Sequence, residues 1–120
     1  MSPFSEVLSG IRKSRRMRQT EFAEAMGYEQ SYISALENGL KGPPTKDFIL
    51  KMFSALSLDE NEKSQVTLAV SMSSKKFLLP AGASHSFYEF CYELSQRAQY
   101  LRPSQIEILT NVLRLMKEVD

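Results

Sequence analysis

Residues 19–39 read QTEFAEAMGYEQSYISALENG, and the fold turns on this run. Two short helices that cross steeply make demands at fixed places. The fifth residue must be small because the second helix passes close by, and it is Ala23. The ninth lies in the turn at positive φ, where a Cβ would clash, and it is Gly27. The fourth, eighth, fifteenth and eighteenth must join a core, and they are Phe22, Met26, Ile33 and Leu36. These constraints agree at the correct spacing, which predicts helices over about 19–26 and 30–37.

Helical spacing continues outward on both sides. A first helix over about 4–14 aligns Phe4, Val7, Leu8 and Ile11. A fourth, over about 46–56, is capped by Thr45 and kept apart from the third by Pro43-Pro44; it buries Phe48, Ile49, Met52, Phe53 and Leu56. A fifth, over about 60–73, has Asp59 and Glu62 as a capping box. It turns Val66, Ala69 and Val70 inward, with Leu68 and Met72 on a neighbouring, partly covered stripe.

Lys75-Lys76, Pro80 and Gly82 interrupt the pattern over 73–84. The run Phe77-Leu78-Leu79 is expected to dock on the preceding bundle, with a short strand as the alternative. Ser86 and Glu89 form a second capping box for a sixth helix to about 100, and Pro103 opens a seventh to about 119. No sustained alternation marks a strand. The expectation is an all-α chain: a five-helix bundle over 1–73, a linker over 74–85 and a two-helix element over 86–120.

Of 120 residues, 42% are hydrophobic and 24% charged, with a net charge of +1, which is the profile of a globular protein. The charge is uneven: five Lys/Arg fall between Arg12 and Arg18. A single cysteine, Cys91, excludes an intrachain disulfide and fits a reducing, cytoplasmic setting. Neither a signal peptide nor a membrane-spanning run is visible, so no membrane association is expected. There is no nucleophile–base pair, glycine-rich phosphate loop or metal-ligand cluster. The reading is therefore not an enzyme, with no catalytic residue, cofactor or metal. His85 is assigned to the surface, with no carboxylate at ligand spacing. Cys91 is assigned to the core with Phe87, Phe90 and Leu94. Tyr88, Tyr92 and Tyr100, with those phenylalanines, are read as helix packing rather than base stacking.

Leu8, Arg12, Met17, Gln19, Phe22-Ala23, Gly27, Ile33, Leu36, Glu37-Asn38-Gly39 and Pro43 or Pro44 together resemble the Xre-type helix-turn-helix family, which includes phage repressor and Cro proteins. The resemblance spans about 8–58. It implies a buried Arg12–Glu37 ion pair, a Gln19 that caps the second helix and reaches a phosphate, and a third helix that enters the major groove. The chain departs from the family at Arg16, where glycine is frequent, at Tyr28, usually aliphatic, and at Glu29, often Ser or Thr.

The outward face of such a third helix presents Glu29, Gln30, Ser31, Ser34 and Ala35 as base-contacting candidates. The Gln30 amide matches adenine N6 and N7, Glu29 can accept from cytosine N4, and Ala35 suits a thymine methyl. Arg15, Arg18, Gln19, Asn38 and Lys41 are the phosphate candidates, with Tyr32 bracing a phosphate or packing on Gln19.

The seventh helix carries two apolar seams: Ile106, Leu109, Leu113 and Met116, and Ile108, Val112, Leu115 and Val119. A helix apolar over half its circumference needs cover on two sides. The sixth helix is expected to cover one and a second copy the other, making these residues a homodimerisation element; cover by the fourth and fifth helices is the alternative. The expected function is a transcriptional regulator, a repressor in the first instance, that binds double-stranded DNA at a palindromic operator. The rival readings are the antitoxin of a toxin–antitoxin pair and a protein-interaction module with a vestigial helix-turn-helix.

Overall fold

A computed structural model describes residues 1–116 and divides the chain into two compact units, Met1–Phe77 and a second that begins at Leu78. Helices are the only regular elements among the described residues, without a strand.

The first unit contains α1 (Pro3–Ser14), α2 (Gln19–Met26), α3 (Gln30–Glu37), α4 (Lys46–Ala55) and α5 (Glu60–Met72). Three of the starts have a local cause in a capping side chain. Ser2 and Ser5 cap α1 reciprocally and Pro3 occupies its first turn; Thr45 caps α4; Asp59 and Glu62 form the box of α5. The five helices close around Phe4, Leu8, Phe22, Ile33, Leu36, Phe48, Met52 and Val66, all almost fully buried. Each such side chain contributes about 1.5–3 kcal/mol on burial. Phe4 and Phe22 meet Phe48 edge-to-face at 6.5 Å, which fixes the rings at the centre.

Helices α1 and α5 run antiparallel and are tied at both ends. At one end, Ser73 Oγ accepts from the Phe4 amide at 2.9 Å and donates to the Ala69 carbonyl at 2.6 Å. At the other, the Arg15 guanidinium grips the Glu62 carboxylate with both arms and donates to the Leu56 carbonyl. Between α1 and α2, Arg16 adopts φ 55°, the left-handed conformation that explains the family's frequent glycine there. A non-glycine residue held in this conformation costs roughly 1–2 kcal/mol.

The Arg15–Glu62 pair predicts an acid transition. Hydrogen bonds from the Arg15 guanidinium, and then from the Asp59 amide, lower the Glu62 pKa from 4.5 to about 2. A carboxyl depressed in the folded state stabilises fully above its unfolded pKa and loses that contribution as pH falls. The thermal midpoint should therefore drop as pH falls from 4.5 towards 2. Glu62→Gln should flatten that part of the profile; an unchanged profile would show that the pair contributes nothing.

The second unit contains α6 (His85–Arg97), a 3-10 turn (Ala98–Tyr100) and α7 (Pro103–Arg114). Helix α6 starts earlier than the sequence suggests. Ser84, in extended conformation, accepts from the Phe87 amide at 3.2 Å, so Ser86 already lies inside the helix and makes no capping box with Glu89. Glu89 instead meets His85 Nδ1 at 2.9 Å on the surface, one helical turn away, a spacing the sequence reading overlooked. Phe77 and Leu78 are also not docked; Leu78 is 87% exposed. Cys91 is half-buried rather than a core residue. No side chain of α6 or α7 is buried. Leu109, the best covered of the large apolar residues on α7, is 39% exposed, and Leu115 is 82% exposed. Helix α6 thus does not cover α7 as expected. Val119 lies outside the described residues.

Candidate nucleic-acid interface

The α2–α3 corner is built by Gly27. At φ 76° and ψ 27° it ends α2, and the Tyr28 amide returns to the Ala23 carbonyl at 3.0 Å. The chain then re-enters helix at Glu29, whose side chain makes no capping bond. Ile33 and Leu36 lock α3 to the core. Glu29, Gln30 and Ser31 stand exposed, while Ser34 and Ala35 are half-buried on the same outward strip.

Beneath this strip lies the ion pair that the resemblance implied. Arg12 Nε and Nη2 reach Glu37 Oε2 and Oε1 at 2.6 and 2.9 Å, and Arg12 Nη1 donates to the Met17 carbonyl at 2.6 Å. The two side chains are only 10% and 7% exposed. Hydrogen bonding to the Glu37 carboxylate raises the Arg12 pKa beyond its ordinary value, against the opposing effect of burial, and keeps the guanidinium charged.

Gln19 carries this order to the surface. It is not the cap of α2: Arg18 holds that position, with its amide donating to Glu21 Oε1 at 2.9 Å. Gln19 is the first helical residue, so its side chain is free to cross to α3. Gln19 Nε2 donates to Glu37 Oε1 at 3.3 Å, and Gln19 Oε1 accepts from Gln30 Nε2 at 3.1 Å. One Gln30 N–H is thereby used. Its second N–H and its Oε1 remain for the donor–acceptor pair that an adenine edge requires.

The phosphate candidates divide. Arg15 is turned away to Glu62 on α5, a partner 47 residues distant that no local pattern announced. Its guanidinium is thereby engaged within the bundle. Arg18 is exposed at the start of α2. Asn38 ends α3, and its Oδ1 accepts from the Leu40 amide, leaving its NH₂ free. Lys41 lies over the Tyr32 ring, 5.6 Å from the centroid. Tyr32 is half-buried, stacked on Tyr28 at 5.3 Å and edge-on to Phe48 at 5.9 Å. Burial, and then the neighbouring Tyr28, raise the Tyr32 pKa, so its hydroxyl stays protonated as a donor. Tyr28 also has a cation above it, Lys51, at 5.0 Å, which sequence reasoning did not single out.

A family model described as helix-turn-helix matches residues 9–63. This part of the chain belongs to the Xre-type helix-turn-helix family. The domain supports a DNA-binding, transcription-regulating function in general, and its family is typically non-enzymatic. No curated protein and no solved structure matches the chain. Among the described residues, no helix is long and apolar enough to cross a membrane.

Proposed function

We propose that the protein is a cytoplasmic repressor that binds a palindromic operator as a homodimer. The observation that carries the reading is the Gln30 amide, held by Gln19 at the edge of an exposed strip on α3. Gln30 reads adenine in the major groove, Ser31, Ser34 and Ala35 contact neighbouring base edges, and Glu29 accepts from a cytosine. Arg18, Gln19, Tyr32, Asn38 and Lys41 hold phosphates and supply the salt-sensitive part of the affinity.

The dimer rests on the second unit. Ile106, Ile108, Leu109, Val112, Leu113, Leu115 and Met116 are all exposed on α7. Among its described residues this unit buries no side chain, and a unit without a core of its own needs another surface to complete it. Pairing α7 across a two-fold axis supplies one. It also presents two recognition helices to half-sites about one turn, roughly 34 Å, apart.

In vitro selection of random duplexes by the purified protein tests the reading. The expected result is a two-fold symmetric motif. Gln30→Ala should weaken binding to it by about 1–3 kcal/mol, roughly 5- to 150-fold, and relax preference at one base pair of each half-site. No enrichment even at low salt would overturn the operator reading. It would leave a protein-interaction role for the second unit, such as holding a toxin.

A further inference from the structure

Successive side chains turn by about 100° around α3, so Gln30 and Glu37 flank one side of the exposed strip and Tyr32 flanks the other. Gln19 and the start of α2 adjoin the Gln30 side. The Tyr32 side carries the Tyr28–Tyr32 stack, with Lys41 over one ring and Lys51 over the other. Both rings rest on Phe48, which is fully buried, so they cannot swing away from the helix. Each ring face attracts an otherwise mobile ammonium through the negative potential above its π-system. Among the described residues, neither ammonium is paired with a carboxylate.

The major groove is about 12 Å wide and bounded by two phosphate strands. A helix about 10–12 Å across fills it and brings both flanks against phosphates. Arg18 and Gln19 serve one flank. We propose that Tyr28 and Lys51, together with Tyr32 and Lys41, form a second phosphate clamp, which grips the DNA strand on the opposite rim of the groove. Tyr28, standing where an aliphatic residue is usual, is the part that turns Lys51 towards the DNA. The clamp rests on the operator-binding reading and adds Tyr28 and Lys51 to its contacts.

Fluorescence anisotropy on the selected duplex, titrated from about 50 to 200 mM salt, tests it. Each phosphate contact contributes about −0.9 to the slope of log K against log salt. Lys51→Gln is expected to reduce the magnitude of that slope by about one and to weaken all duplexes equally, with the sequence preference unchanged. Tyr28→Leu, checked for folding by circular dichroism, should move the slope in the same direction. Lys63→Gln removes another ring-bound lysine, 5.7 Å over the Phe53 ring and paired with Glu60, and should leave the slope as in the wild type. A wild-type slope in Lys51→Gln, or an equal loss in Lys63→Gln, overturns the clamp while the operator reading stands. A wild-type protein that binds no duplex overturns both.

Discussion

Glu37→Ala is expected to unfold much of the helix-turn-helix domain at temperatures where the wild type is intact. The substitution strips the carboxylate from Arg12, whose side chain is 10% exposed, and leaves a guanidinium charge with one carbonyl partner. Removing one member of a buried pair costs about 3–5 kcal/mol, because the remaining charge stays desolvated. Set against a total stability of about 5–15 kcal/mol, that is a large share. The thermal midpoint should fall by on the order of 15–30 °C. Replacing both partners, Arg12→Leu with Glu37→Leu, should recover most of the loss, since no unpaired charge remains. The double variant also separates two roles of Glu37. It should fold but bind the operator less selectively, because Gln19 has lost the carboxylate that receives one of its N–H groups. A Glu37→Ala midpoint within a few degrees of the wild type would show that the pair is not structural.

The second large effect is expected on α7. Leu109→Glu with Val112→Glu places two charges on the apolar face. Sedimentation equilibrium should then report a monomer at micromolar concentration, where the wild type is expected to be a dimer. Binding to the full palindrome should weaken by about 10²- to 10⁴-fold, the advantage lost when two linked contacts become one. Binding to a single half-site and the midpoint of the first unit should change little. A variant that remains dimeric would remove these residues from the interface. A wild type that is already monomeric would reassign the apolar face to a different protein.

Much of the first unit was legible because its determinants are local. Gly27, Ala23 and the spacing of Phe22, Met26, Ile33 and Leu36 fix the bounds of α2 and α3. The Arg12–Glu37 pair came from the resemblance, and the structure places both side chains in contact. What was not legible depended on distant partners or on rival local choices. Arg15 looked like one more member of a basic run until Glu62 came beside it. Ser84 and Ser86 both stand ahead of an apolar stretch, and the one two residues earlier takes the extended backbone of a cap. The resemblance made Gln19 the cap, yet Arg18 holds that position and Glu21 satisfies its amide. Phe77 and Leu78 were assigned cover because they are apolar, but composition does not specify where cover comes from.

The outward strip of α3, the proposed reading surface, stands apart from the residues that keep the domain folded. Ser31 is exposed and belongs to no core contact, and Ser34 and Ala35 are only partly covered. Exchanges at exposed positions of this kind usually shift stability by no more than about 0.5 kcal/mol. On the operator reading proposed above, descendants of this chain can acquire a new operator by changing Ser31 and its neighbours without rebuilding the bundle. Gln30 is the exception: its amide is joined to Gln19, so a new residue there strands a partner. Change of specificity at that base pair is a two-step path, in which positions 30 and 19 move together.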